Sequence, residues 1–164
     1  MKPTKPSLLL FQAIASLPLT SCSTNDTDDT GIETSNTFIK FTADGKTYNF
    51  EDIDTAEGNN ITFNGNNGVS HYDPGDIQIS IWMPKIYDEG KYNIIDEFGT
   101  NCTVVFTANV LGFDFDFAHK GSIVITKKTA IYVEGTFTAT LVSYDNSTKS
   151  IDISMGSFRS VTYP

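Results

Sequence analysis

The sequence predicts an all-β domain: an antiparallel β-sandwich of about nine or ten short strands, with a lipocalin-like β-barrel as the alternative. Two observations carry this prediction. Runs rich in Val, Ile, Thr, Tyr and Phe recur with two-residue alternation, separated by Gly, Asn and Asp turns. After residue 22, no window has apolar residues at helical spacing.

The first element of the chain, residues 1–21, has the features of a secretory signal peptide. Lys2 and Lys5 precede a mostly apolar stretch, Leu8–Leu19. This stretch is shorter than the roughly 20 apolar residues that span a bilayer. Prolines at both ends also disfavour a buried helix.

The signal peptide ends in Leu19-Thr20-Ser21-Cys22, which resembles a bacterial lipobox. That resemblance implies cleavage before Cys22 and acylation of this residue, for example by palmitate. Two or three acyl chains anchor a protein durably, whereas one holds it marginally. We therefore expect Cys22 to be a lipid anchor and the membrane to be a partner of the chain through this lipid.

The next element, residues 22–36, is predicted to be a flexible acidic tether. Ile32 is its one large apolar residue, and such a segment buries too little surface to order itself. Asp26, Asp28 and Asp29 resemble the surface-export signal of Bacteroidota lipoproteins, and a solvated spacer explains them equally well.

Residues 37–164 are predicted to form the single β domain. Asp44-Gly45 lies between two β-type runs and is typical of a tight hairpin turn. Gly135 lies inside a long run and suggests a bulge or a sharp bend. The predicted strands are 38–42, 47–50, 61–63, 76–83, 91–95, 103–110, 122–127, 131–143, 150–155 and 157–162.

Composition excludes several classes of function. The chain has 164 residues, enough for one ordinary domain, and a formal net charge of −9, which argues against nucleic-acid binding. Two Cys and two His provide neither a Cys/His zinc cage nor a disulfide framework. Cys102 lies in an apolar run typical of a buried thiol. No phosphate-loop or catalytic-triad motif is present, so we predict no enzyme and no cofactor.

The C-terminal half carries a pattern of glycine-bounded strands: Gly121-Ser122-Ile123-Val124-Ile125-Thr126, then Gly135-Thr136-Phe137, then Gly156-Ser157-Phe158. This pattern resembles a family of small Bacteroidota lipoproteins with a β-rich domain of unknown function. The resemblance implies an all-β fold and a location in the cell envelope, lipid-anchored to the outer membrane at its periplasmic face or the cell surface. It implies no catalytic residues.

The most conspicuous local motif is Phe113-Asp114-Phe115-Asp116-Phe117. In a regular strand the three Phe share one face and the two Asp share the other. Asp114 and Asp116 could ligate Ca²⁺ or act as an acid/base pair. Calcium loops usually have three or more oxygen ligands, so we predict a solvated acidic face and no metal.

Trp82, Tyr72 and His71 are the candidate ligand contacts, because an exposed aromatic platform can stack on a sugar face. Because side chains alternate along a strand, we expect the core face to hold Ile77, Ile79 and Ile81 and the opposite face to hold Trp82. Asp54-Thr55-Ala56 resembles a short O-glycosylation motif, so Thr55 is a glycosylation candidate.

These features favour a cell-envelope lipoprotein that acts as a non-enzymatic binding or accessory module, for a glycan or an envelope protein. Two alternatives remain open: an envelope hydrolase that uses carboxylates, and a structural or adhesin subunit that pairs through a free sheet edge.

Overall fold

The computed structural model describes residues 37–51, 53–69, 73–95 and 102–162. The predicted signal peptide, Cys22 and the tether lie outside these residues, as do His71 and Tyr72. Within the described ranges, no helix is long and apolar enough to cross a membrane.

The described residues form ten strands and one short 3₁₀ turn at Asn109–Leu111. The prediction of an all-β antiparallel fold is confirmed, since every strand pairing is antiparallel. The strands are β1 Phe38–Ala43, β2 Lys46–Glu51, β3 Asp54–Glu57, β4 Asn60–Asn66, β5 Ile77–Pro84, β6 Gly90–Ile95, β7 Thr103–Ala108, β8 Phe113–Lys128, β9 Tyr132–Val142 and β10 Ser150–Val161.

The strands form one curled sheet in the order β2-β1-β10-β9-β8-β7-β5-β4-β3, with β6 paired to β8. Strand β8 is long enough to belong to both halves of this sheet. Its beginning, 113–117, pairs with β7, and its later part, 120–125, pairs with β6. We call the half that contains β1, β2, β6, β9 and β10 the A half, and the half that contains β3, β4, β5 and β7 the B half.

The core lies between the two halves. The rings of Phe41 on β1 and Phe106 on β7 are 5.8 Å apart, and those of Phe63 on β4 and Phe158 on β10 are 5.3 Å apart. All four residues are fully buried. Burial of such a ring stabilises a fold by about 1.5–3 kcal/mol, so these contacts across the interior hold the curled sheet closed.

Strands β9 and β10 pack closely because each places a Phe opposite a Gly of the other. Phe158 on β10 pairs with Gly135 on β9, and Phe137 on β9 pairs with Gly156 on β10. A Cβ on Gly135 would lie 2.8 Å from the Phe158 ring and 2.1 Å from the carbonyl oxygen of Val124. Gly135 is therefore needed for close packing. The bulge predicted there lies instead on the partner strand, where β8 shifts register between Ile125 and Lys127.

The largest differences from the predicted strands concern β3, β8 and β10. Strand β3 was not predicted, and β8 begins nine residues before the predicted 122, at Phe113. Strand β10 is continuous where two strands were predicted. It shifts register between Ile153 and Gly156, and Met155 there has a positive φ of 50°. A bulge lets one strand change its twist without ending.

Candidate functional site: an outward aromatic strip and its groove

Strand β5 directs Trp82 to the outside of the B half, as the alternation predicts. Ile79, Ile81 and Met83 are at most 2% exposed and face the core. Trp82 pairs with Thr62 on β4 and Thr103 on β7 and is half-buried. The only tryptophan of the chain therefore lies on an outer sheet face.

The Phe113–Phe117 motif does not alternate as predicted, and this expectation was wrong. Phe113 is buried in the core, Phe115 and Phe117 lie towards the outside, and Asp116 is 4% exposed while Asp114 is exposed. The reason is a shift in the pairing of β7 with β8: Phe106 pairs with Asp116, but Ala108 pairs with Phe113. An extra residue in β8 reverses the sides on which the following residues point.

The bulge completes a row of aromatic rings on the outer face. The ring of Trp82 lies 6.0 Å from that of Phe117, and the ring of Phe117 lies 5.4 Å from that of Phe115. Both contacts are edge-to-face, with interplanar angles of 89°. We call these three residues the aromatic strip. Val105 pairs with Phe117 on the same outer face and is 2% exposed, so this apolar side chain is covered although it does not face the core.

Phe115 occupies an unfavourable backbone conformation and remains 56% exposed. Its φ is +57°, in the left-handed region where a bulky residue is an outlier. Its N–H donates to Thr107 Oγ1 at 3.0 Å, which fixes the bulge from the neighbouring strand. An exposed ring held at a backbone cost adds little to stability, and such strain concentrates at functional sites.

Asp116 ties the bulge to the loop that follows β9. Its Oδ2 accepts the N–H of Asp114 at 3.1 Å, and its Oδ1 accepts the N–H of Tyr144 at 2.7 Å. Both oxygens of the Asp116 carboxylate therefore bind backbone N–H groups. Among the described residues, no three His, Cys, Asp or Glu side chains come together in a group that could hold a metal ion.

A groove of about 600 Å³ continues the strip at this end of the domain. Tyr144 stands on its wall with 94% of its surface exposed. The lining consists of Asp114, Phe115, Asp116, Phe117, His119, Val142, Ser143, Tyr144, Asp145 and Ser147. We call this cavity the groove. It combines three aromatic side chains with carboxylate and hydroxyl groups that a polar ligand could contact.

The structure gives two other residues named in the sequence analysis, Cys102 and Thr55, different surroundings. Cys102 is buried, and burial raises the pKa of its thiol. Thr55 is half-buried, and its hydroxyl hydrogen-bonds to that of Ser160. Glycosylation of Thr55 stays a prediction.

Sequence reasoning found Trp82 but not the residues that extend it into a site. Phe115, Phe117 and Tyr144 join the strip or the groove only because the β8 bulge and the loop after β9 meet at Asp116. The Phe113–Phe117 motif was the one signal in the sequence, and its regular alternation predicted that all three Phe lie on one face of the sheet, which is wrong.

The chain matches no protein-family model, no curated protein and no solved structure. The resemblance to Bacteroidota lipoproteins therefore stays a prediction. The geometry of the strip and the groove is the basis for assigning a role.

Proposed function

We propose that this protein is a cell-envelope lipoprotein that binds glycans without enzymatic activity, anchored to the outer membrane through Cys22. The aromatic strip is the observation that carries this proposal. Trp82, Phe117 and Phe115 present apolar ring surface on an outer face, and Phe115 does so at a backbone cost. Flat rings flanked by hydroxyl and carboxylate groups are suited to the apolar faces and hydroxyl edges of sugars.

Two features make the alternative functions less well supported. A hydrolase of the paired-carboxylate type uses two carboxylates across a cleft. In the pair suggested by the motif, Asp114 and Asp116, both oxygens of Asp116 already accept backbone N–H groups. An adhesin that pairs through its sheet needs a long open edge. The strands that pair with one neighbour among the described residues, β2, β3 and β6, have six, four and six residues.

The test is glycan binding by the full chain carrying Cys22→Ser, which keeps the protein free of lipid. Mannan, a β-glucan and a hexamer of N-acetylglucosamine serve as probes, and binding is measured by calorimetry and by Trp82 fluorescence. We expect Trp82→Ala and Phe115→Ala each to weaken binding about tenfold, since a lost ring contact costs about 1.4 kcal/mol.

Ile86→Ala is the matched control, because Ile86 is also an exposed apolar residue, at 84%, and does not belong to the strip or line the groove. This variant should bind as tightly as the parent. If Ile86→Ala and Phe115→Ala weaken binding equally, or if none of the probes binds, the strip is not a glycan site.

A further inference from the structure

The lining of the groove carries negative charge, whereas binding of an acidic glycan requires positive charge. Asp114, Asp116 and Asp145 line the groove, and no Lys or Arg does so in the part of the chain that the structure describes. Asp114 and Asp145 are exposed, so their charges face whatever enters. The remaining titratable side chains of the lining are His119 and Tyr144.

Lys149 lines a second, smaller cavity of about 360 Å³, which shares Asp114, Ser143 and Asp145 with the groove. Its Nζ lies 5.9 Å from the centre of the Phe113 ring. Lys149 is therefore engaged with an aromatic face at the rim of the smaller cavity, and the groove itself keeps an acidic lining.

Aromatic faces and carboxylates both attract cations. A ring face attracts an ammonium group through its quadrupole, and a carboxylate attracts it through its charge. Phe115, Phe117 and Tyr144 supply rings beside the two exposed carboxylates of the groove. An anionic sugar would meet like charge at the same place, whereas a neutral sugar would gain ring contacts and hydrogen bonds but no attraction between opposite charges.

We propose that the groove selects glycans that carry free amino groups, such as glucosamine polymers. This inference rests on the proposed function, because the strip supplies the ring contacts that hold any sugar. The groove adds the preference for a protonated amine at the end of the strip where Asp114 and Asp145 lie.

A matched pair of ligands tests the preference. The hexamer of glucosamine and the hexamer of N-acetylglucosamine have the same rings and linkage, and they differ in whether the nitrogen is charged. At pH 6 we expect the full chain with Cys22→Ser to bind the glucosamine hexamer about tenfold more tightly. Raising the salt from 50 to 500 mM should remove most of this difference, because salt screens exposed charges.

Variants locate the source of the preference. Asp114→Asn combined with Asp145→Asn should reduce the tenfold preference to less than threefold, by weakening binding of the glucosamine hexamer more than binding of the N-acetylated hexamer. Asp152→Asn is the control, since Asp152 is an exposed carboxylate on β10 that bonds to Thr140 and lies outside the groove. It should keep the full preference.

The outcomes separate this inference from the proposed function. Equal affinity for the two hexamers, with both lost in Trp82→Ala, overturns the amine preference and leaves glycan binding standing. Failure of every glycan to bind overturns both. Binding of a lysine-rich peptide in the groove, with no glycan bound, overturns the glycan as the occupant.

Discussion

The backbone at Phe115 offers a direct test of the bulge that forms the site. Phe115→Ala and Phe115→Gly both remove the ring, so a difference in stability between them reports the backbone alone. At a φ of +57°, a residue with a Cβ costs about 1–2 kcal/mol, and glycine avoids this cost. Glycine in a strand loses about 0.5–1 kcal/mol through its greater freedom when unfolded. We expect Phe115→Gly to be more stable than Phe115→Ala by about 0.5–1 kcal/mol.

Phe117 is the matched control on the same strip. It is not one of the described residues with positive φ, so no strain is relieved there. Phe117→Gly should therefore be less stable than Phe117→Ala by about 0.5–1 kcal/mol. The sign of the glycine-minus-alanine difference should reverse between two residues that are neighbours on one outer face.

Urea unfolding followed by far-ultraviolet circular dichroism measures these differences. All variants carry Cys22→Ser, and comparisons are made at constant m. A change of 1 kcal/mol corresponds to a shift in Tm of about 2–4 °C in a chain of this size. If glycine is the less stable residue at position 115 as well, the positive φ is absent, and the argument that the chain holds this ring outward at a cost fails.

Three further predictions concern the core, the thiol and the anchor. Gly135→Ala should lower the free energy of unfolding by about 2–3 kcal/mol in urea titrations, because the new Cβ would lie 2.1 Å from a backbone oxygen. Gly58 has open space around it, so Gly58→Ala should change the free energy of unfolding by less than about 0.5 kcal/mol. Burial raises the pKa of Cys102 above its ordinary value of 9.0, so its contribution to stability is present below pH 9 and lost as pH rises through the folded value. Pulse labelling should leave this thiol unmodified in the native protein at pH 8, and unfolding free energies should fall more steeply above pH 9 than in Cys102→Ala. Cys22→Ser should abolish incorporation of radiolabelled palmitate into the protein, and labelling that persists in this variant would contradict the lipid anchor.

The sequence predicted the regular parts of this fold because they follow one local rule. Strand β5 alternates between core and outside over its whole length, so Ile79, Ile81 and Trp82 could be assigned to their faces without knowing their neighbours. Strand β3 escaped prediction for the opposite reason. Its residues Asp54–Glu57 have little β propensity, and the strand is held by pairing with β4 and by the bond between Thr55 and Ser160.

The candidate site was only half predictable, because it depends on contacts distant in sequence. Trp82 follows from alternation, but the exposure of Phe115 follows from a bulge. That bulge is fixed by Thr107 on a neighbouring strand and by Asp116, which also binds the backbone of Tyr144, 28 residues later. Local pattern contains no information about either bond, so the motif was assigned the alternation of an unbroken strand.

The position of the site follows from the way the sheet is built. Strand β8 serves both halves of the sheet, and the bulge lies near its beginning, where it pairs with β7. A bulge bends its strand and can turn outward a side chain that regular pairing would bury. The same irregularity turns Phe113 into the core, turns Phe115 outward and frees Asp116 to hold the loop of Tyr144. No additional loop or helix is needed to build the site, because the bulge in β8 already brings aromatic rings and carboxylates together at one end of the domain.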